Sequence, residues 1–259
     1  MSLPLTRRAL VQGLAAGTLL PWWSARSLAA AQKAHGVFGH GVASGDPTED
    51  SVVLWTRLKP SARVRAVRWE LAEDAAFQRP VLSSTKETGP ERDFTIKVLA
   101  TGLSPGRTYY YRFVAGDAIS MIGRTRTLPT GALDTLTLAI ASCSNYPFGH
   151  FNGYDAIARD EQVDFVLHLG DYLYEYGPDS YGGETGATLG RVHAPAKEIV
   201  TLEDYRQRHG QYKSDAGSLL MHAAHPLIAI WDDHESANNP WMGGAENHQP
   251  GAEGPWGPR

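Results

Sequence analysis

Three apolar runs in the second half of the chain each end in a cluster of polar residues. The runs cover residues 136–141, 163–169 and 227–231. Short apolar runs bounded by polar or turn residues are typical of buried strands. Helical stretches separate them, and this alternation predicts an α/β layer fold with parallel strands. Because parallel strands end at the same edge of a sheet, we expect the three polar clusters to face one crevice.

The segments between these runs predict three helices and one long loop. A short helix is expected over about residues 155–161. Thr201 and Asp204 resemble a capping box that begins a helix extending to about residue 212. Asp215 is a suitable N-cap for a further helix to about residue 223. Residues 178–199 are rich in glycine and are expected to form a loop that covers the site or is mobile.

Residues 35–128 show a different pattern, which predicts strands only. Residues 52–57, 65–71 and 94–98 combine β-branched, aromatic and alternating polar residues, with Gly and Pro in the turns between them. The stretch from Leu103 to Tyr109 resembles the tyrosine corner of immunoglobulin-like and fibronectin-type sandwiches. We therefore predict an all-β sandwich domain, followed after a hinge near residue 130 by an α/β domain at 132–259.

The first 31 residues predict an export signal. Arg7 and Arg8 precede a moderately apolar stretch, 9–23, that is too short to span a bilayer comfortably. Arg26 and the small-residue run 27–31 follow. This arrangement is typical of a twin-arginine signal. It predicts the twin-arginine export machinery as a transient partner, a periplasmic or secreted product, and no stable membrane anchor.

Charge and cysteine content exclude some classes of protein. The net charge is −4 without a long basic run, which argues against a nucleic-acid-binding surface. A small anionic substrate would then be attracted by metal ions or a few local cations. Cys143 is the single cysteine, so no internal disulfide can form. Its thiol is buried and inert, paired with another chain, or a metal ligand.

The polar clusters contain the residue types of a two-metal site. Asp171 and Asp233 offer carboxylates for hard cations. Tyr174 could add a phenolate and Cys143 a thiolate, a pair that suits Fe³⁺ better than Mg²⁺ or Ca²⁺ alone. Zinc more usually takes several Cys or His ligands, which these clusters lack. Two metals would orient a hydroxide for in-line attack on a phosphate, with His234 near the leaving oxygen as acid or hydrogen-bond donor.

These strings also resemble a known family. Gly-Asp-x-x-Tyr and a later Asp-His-Glu are similar to the pattern of calcineurin-like metallophosphoesterases, and PhoD-type alkaline phosphatases and phosphodiesterases are the closer resemblance. It covers nearly all of the chain after the signal, in the strings Gly41–Pro47, Val53–Arg57, Ala141–Ser144, Gly170–Tyr176 and Trp231–Glu235. The resemblance implies hydrolysis of small phosphate mono- or diesters and a metallophosphoesterase-like two-layer sheet preceded by the β-sandwich.

The resemblance also implies a ligand set. Fe³⁺ would lie on Cys143, Asp171 and Tyr174, with Ca²⁺ at the neighbouring site. Asp233 would bind the second metal, and His234 is the histidine of the same motif.

Family members continue well beyond the position that corresponds to residue 259 and supply further Asp and His ligands there. Asn247 and His248 are the remaining candidates after Glu235, whereas Asn238, Asn239 and His248 are expected to be loop residues. We therefore expect an incomplete two-layer sheet, apolar surface exposed on the third strand, weak metal binding and little activity.

Two alternative functions remain open. The same metal site would serve a phospholipase D-like phosphodiesterase, since a two-metal clamp recognises the phosphate and not the group attached to it. The chain would otherwise be a binding protein, in which the β-sandwich is joined to an inactive metallophosphoesterase remnant. Iron bound through Cys143 would favour an enzyme, and an ordinary thiol would favour the binding protein.

Overall fold

The computed structural model describes residues 36–62 and 65–257, which contain eleven strands and five α-helices. The strands are β1 (Val42–Gly45), β2 (Ser51–Arg57), β3 (Ala66–Ala72), β4 (Pro80–Glu87), β5 (Thr95–Thr101), β6 (Thr108–Ala115), β7 (Ala118–Ile119), β8 (Gly123–Arg126), β9 (Leu138–Ala141), β10 (Phe165–His168) and β11 (Leu227–Ala229). The helices are α1 (Asn152–Arg159), α2 (Gly183–Leu189), α3 (Leu202–Lys213), α4 (Ala216–Ala224) and α5 (Pro250–Glu253). The export signal predicted over residues 1–31 lies outside the described residues.

The strands of the described residues form two sheets. A six-stranded sheet, called the long sheet below, has the order β5-β2-β1-β11-β10-β9. A five-stranded sheet has the order β4-β3-β6-β7, with β8 also paired to β6. Leu54 and Ile96 of the first sheet pack with Leu71 and Phe113 of the second in one apolar core. The β5-β2-β1 part of the six-stranded sheet and the five-stranded sheet therefore form a sandwich, as predicted.

The tyrosine corner is present at the entrance to β6. The hydroxyl oxygen of Tyr109 accepts a hydrogen bond from the backbone N–H of Ser104 at 2.9 Å. This is the interaction that the Leu-x-Pro-x-x-x-Tyr string predicts. It ties the turn between β5 and β6 to the sandwich.

One strand pairing joins the sandwich to the α/β region. β1 pairs in parallel with β11 through Gly45 and Leu227, and the backbone N–H of Asp46 donates to the carbonyl oxygen of Leu227 at 3.3 Å. A Cβ atom at position 45 would lie 2.7 Å from that oxygen, so glycine is needed for this close approach. The sequence predicted two successive domains, and the structure adds that they share a sheet.

Helices cover one face of the α/β end of the six-stranded sheet. Helices α1, α3 and α4 pack over Val166 and Leu227 in a second apolar core. On the opposite face, Leu138, Ile140 and Ile230 are 44%, 64% and 62% exposed. The structure therefore shows the exposed apolar surface that was expected, and the exposure includes the edge strand β9.

The glycine-rich segment 178–199 differs from its prediction, because it contains helix α2. Left-handed glycines flank this helix at 182 and 190, with φ of 86° and 66°. A Cβ atom at Gly186 would lie 2.9 Å from Cβ of Pro147. Glycines in this helix thus permit close packing against the 3₁₀ turn at Tyr146–Phe148. The glycine content suggested a loop because it lowers helix propensity, and packing overrides that propensity here.

None of the helices in the described part of the chain has the length and apolar character needed to cross a bilayer.

Candidate metal centre

The three polar clusters meet at one edge of the long sheet. β9, β10 and β11 are parallel neighbours, so their carboxyl ends lie together. The backbone N–H of Cys143 donates to the carbonyl oxygen of Gly170 at 3.3 Å, and that of Ser144 donates to the carbonyl oxygen of Asp171 at 3.0 Å. The predicted convergence of the clusters is confirmed.

Asp171 is the centre of the arrangement. One ligand atom each from Asp171, Asp233 and His234 lies within 4.8 Å of the others, a grouping able to hold a metal ion. Oδ2 of Asp171 accepts a hydrogen bond from the Tyr174 hydroxyl at 3.1 Å. Its other oxygen, Oδ1, is buried and has no hydrogen-bond partner among the described residues. A buried carboxylate oxygen without a partner is costly, and a cation would satisfy it.

The backbone at this site is strained where the candidate ligands lie. Asp171 and Cys143 both have left-handed conformations, with φ of 51° and 56°. Non-glycine residues rarely adopt such angles, and they cluster at functional sites. Gly170 has φ of 97°, and a Cβ atom there would lie 2.4 Å from Cβ of Asp232. The Gly-Asp turn therefore lets the ends of β10 and β11 approach closely.

Tyr174 and Cys143 complete a set of acidic donors. The pKa of the Tyr174 hydroxyl is raised first by burial, then by the charge of Asp171 and by the neighbouring Cys143 thiol. A carboxylate, a phenol and a thiol thus lie side by side, and each is a better metal ligand once deprotonated. Cys143 is exposed, which rules out the interpretation of this thiol as buried and inert. The donor set is therefore suited to a metal cation.

His234 is held in a fixed orientation beside these donors. Its Nδ1 atom is hydrogen-bonded to Oε2 of Glu175 at 2.8 Å, and its ring lies 4.3 Å from the Tyr174 ring between centroids. Burial opposes protonation of His234, but the hydrogen bond to Glu175 and the charges of Asp233 and Asp171 raise its pKa above the ordinary value. Nε2 is then the ring nitrogen available to the site.

Two glutamates that sequence reasoning left without a role support the site. Oε2 of Glu235 accepts hydrogen bonds from the backbone N–H groups of Asp171 at 3.1 Å and Asp232 at 2.8 Å. It therefore joins the ends of β10 and β11. Both glutamates follow the candidate ligands directly in the motif strings, and that adjacency was the available signal.

Glu175 fixes the segment that follows β11. This residue is fully buried, and its Oε1 accepts hydrogen bonds from the backbone N–H of Asn238 at 2.7 Å and from Nδ2 of Asn247 at 2.6 Å. The backbone N–H of Asn239 donates to Oδ2 of Asp233 at 2.8 Å. The asparagines thus hold the carboxylates in place.

His248 lies in a loop, as expected, and is not part of the grouping formed by Asp171, Asp233 and His234. Its Nδ1 pairs with Oε2 of Glu253 at 2.9 Å, and its Nε2 bonds to the carbonyl oxygen of Gly254 at 3.0 Å. Both ring nitrogens are therefore engaged at α5 and its end.

A hydrogen-bonded chain of side chains supports the turn that carries Cys143. Nε2 of His168, the last residue of β10, is 2.7 Å from the Tyr154 hydroxyl, which is 2.6 Å from Oγ of Ser144. Ser144 is the residue after Cys143. The chain therefore fixes the turn after β9 from below, and nothing in the sequence spacing predicts it.

Comparison with known proteins gives consistent results along the chain. Residues 138–259 match the family described as PhoD-like phosphatase, and residues 23–129 match the PhoD-like phosphatase, N-terminal domain. The chain is 46% identical over 212 residues to alkaline phosphatase D of Bacillus subtilis (strain 168), a match that covers 78% of this chain and 36% of the relative. A solved structure of PhoD matches with a TM-score of 0.75 and 44% identity, over 82% of this chain and 42% of that one. This chain thus spans less than half the length of the relatives it matches.

Proposed function

Since the chain belongs to the PhoD-like phosphatase family, we propose that it is an exported, metal-dependent phosphoesterase that hydrolyses small phosphate mono- or diesters. The matched relative is named an alkaline phosphatase, and both regions of the chain match the family.

The buried Oδ1 atom of Asp171 is the observation on which the proposal rests. It has no hydrogen-bond partner among the described residues, and Asp233 and His234 place ligand atoms within 4.8 Å. A carboxylate oxygen in such a place is stabilised by a cation. We propose that Cys143, Asp171 and Tyr174 hold Fe³⁺ and that Asp233 binds a neighbouring Ca²⁺.

The chain's own residues would position the reacting groups. Metal ions held by Cys143, Asp171, Tyr174 and Asp233 would supply a nucleophilic hydroxide at moderate pH and would neutralise charge on the phosphate oxygens. Glu175 fixes His234 through Nδ1, so Nε2 can donate a proton or a hydrogen bond to the leaving oxygen. Glu235 holds the backbone of Asp171 against that of Asp232, which keeps the two carboxylate-bearing turns together.

Metal content tests the proposal directly. The purified chain should contain up to one equivalent of iron, and Cys143→Ser and Asp171→Asn should each lower that content several-fold because each removes an anionic ligand. Ser142→Ala is a matched control, since Ser142 is an exposed neighbour of Cys143 and offers no thiolate. Elemental analysis should be paired with turnover of a chromogenic phosphodiester in added calcium. Iron content that is unchanged in both ligand variants would contradict the proposed site.

The export step has a separate test. The twin-arginine signal is proposed from Arg7 and Arg8, and Arg7→Lys with Arg8→Lys keeps the charge of this segment. Loss of the exported form in the double variant is expected, whereas undiminished export would contradict the twin-arginine route.

A further inference from the structure

A cleft of about 420 Å³ lies between strand β2 and helix α3. Trp55 and Arg57 of β2 line one side, and Tyr205 and Arg206 of α3 line the other. None of the five residues predicted for the metal centre lines it. Its volume is within the roughly 300–1,000 Å³ range of small-molecule sites.

Positive charge is concentrated in this cleft. Its lining contains one carboxylate, that of Asp93, and four cationic side chains, those of Arg57, Arg92, Arg206 and Lys213. Asp93 is already paired with Arg57, at 2.5 Å between Oδ1 and Nη2. Across residues 36–62 and 65–257, Arg92 and Arg206 form no ion pair with a carboxylate. A chain with net charge −4 therefore gathers more cations than carboxylates in one cavity.

Lys213 is held at the inner wall by aromatic rings. Its Nζ atom lies 5.1 Å from the ring centroid of Trp55 and 5.0 Å from that of Tyr172, and it donates to the Tyr172 hydroxyl at 3.3 Å. Burial lowers the pKa of Lys213 to about 8. An ammonium group removed from water without a carboxylate is destabilised, and a bound anion would compensate.

Gly210 of α3 leaves the space that the guanidinium of Arg57 needs. A Cβ atom at this position would lie 2.8 Å from Nη1 of Arg57 and 3.1 Å from Nε2 of His40. Glycine weakens a helix interior relative to alanine, so its presence here has a packing reason. The helix backbone comes close enough for Arg57 to stay at the cleft wall between Asp93 and His40.

We propose that this cleft binds the phosphate group of a small anionic ligand, independently of the metal centre. Arginine guanidinium groups form paired, charge-assisted hydrogen bonds with phosphate oxygens, and a lysine ammonium adds a point charge. Free phosphate and a small phosphate ester share this chemistry. The Trp55 ring beside the cations offers an apolar wall for the organic part of an ester.

The test must exclude phosphate bound at the metals. A chelator is itself a polyanion and would compete for the cleft, so metal is removed by substitution, in an Asp171→Asn, Asp233→Asn background. Inorganic phosphate and phenyl phosphate are titrated separately by calorimetry at constant ionic strength. Saturable binding of one equivalent of phosphate is expected, and tighter binding of phenyl phosphate would identify an ester as the ligand. Failure of both titrations to saturate at millimolar concentrations would overturn the proposal.

Matched charge variants show whether the cleft is the site of phosphate binding. Arg92→Ser with Arg206→Ser should weaken phosphate binding by roughly tenfold or more, because two charge-assisted contacts are removed. Arg79→Ser with Arg159→Ser removes the same charge from arginines paired with Glu73 and Asp155, and should change affinity by less than about twofold. Equal weakening in both double variants would show a general charge effect and overturn the assignment.

Gly210→Ala provides a second test that alters no charge. The added methyl group displaces Arg57 from the wall, so phosphate binding should weaken while the metal content of the unsubstituted metal centre stays the same. Unchanged phosphate affinity in this folded variant would count against the cleft.

Discussion

The sandwich and the α/β end of the long sheet bury their strands differently. In β6 the side chains alternate between buried and partly exposed positions along the strand, as expected for one covered face. In β9 the sequence Leu-Ala-Ile-Ala is apolar on both faces, yet helices cover only one. The composition of a strand thus reports how many of its faces are suited to burial. The sandwich satisfies that requirement among the described residues, and β9 does not.

Among the substitutions that test this difference, Phe113→Ala should lower the free energy of unfolding most. The side chain is fully buried between the two sheets and packs edge-on against Tyr111, at 6.2 Å between ring centroids. Truncation should lower the free energy of unfolding by about 3–5 kcal/mol, because the lost burial is added to the cost of a cavity. Urea denaturation monitored by circular dichroism would measure it. A loss below about 1 kcal/mol would show that the sandwich core is loosely packed.

Asp204→Asn should have an intermediate effect on the free energy of unfolding. Asp204 lies in α3, one of the helices that cover the sheet. Its carboxylate accepts hydrogen bonds from the backbone N–H of Thr201 at 3.0 Å and pairs with Lys197 at 2.9 Å. The Thr201 hydroxyl accepts in return from the N–H of Asp204 at 3.3 Å, so the two residues form a capping box. We expect Asp204→Asn to lower the free energy of unfolding by about 1 kcal/mol at neutral pH. Glu203→Gln, an exposed change of the same charge in the same turn, is the control.

The Asp204 effect should depend on pH with a definite sign. Burial alone would raise the pKa of Asp204, but the hydrogen bonds from Lys197, Thr201 and Val200 lower it to about 2 from 3.8. A carboxylate with a depressed folded-state pKa stabilises the fold above its unfolded pKa and loses that contribution as pH falls. The difference between wild type and Asp204→Asn should therefore shrink between about pH 4 and pH 2. A difference that grows with acid would contradict this assignment.

Ile140→Ala should have the smallest effect. The side chain lies on the open face of β9 and is 64% exposed, so its removal should change the free energy of unfolding by less than about 0.5 kcal/mol. The same urea denaturation experiment would measure it, repeated at several protein concentrations. A loss above about 2 kcal/mol that depends on protein concentration would mean that this face is covered in solution, and the contrast with the sandwich would fail.

The strands of the fold were partly predictable from composition. Residues 52–57 and 65–71 were expected as strands and correspond to β2 and β3. β4 was missed because its residues are almost all exposed, so it has no apolar face to reveal it. The third apolar run ends as a strand at Ala229, two residues before its predicted end, and Trp231 is 76% exposed.

For the site, the sequence predicted which strand ends meet. Asp171, Asp233 and His234 were expected together, and the structure places them together. The assignment of Asp171 and Asp233 as metal ligands and of His234 as the catalytic donor remains a proposal. The role of the His168–Tyr154 pair depends on a contact between residues on different elements, so no local spacing could reveal it. The pairing of β1 with β11 was likewise hidden, because one short register match between distant strands leaves no periodic pattern.

That pairing has a consequence for the order in which the chain can fold. Gly45 and Leu227 form the contact, and most of the described chain lies between them. During synthesis, β1 would have one unpaired edge until β11 leaves the ribosome, since loop closure over such a distance is slow. An unpaired strand edge is open to pairing with other chains. The nascent sandwich would therefore keep this edge of β1 open until late in translation, when one short strand pairs with it.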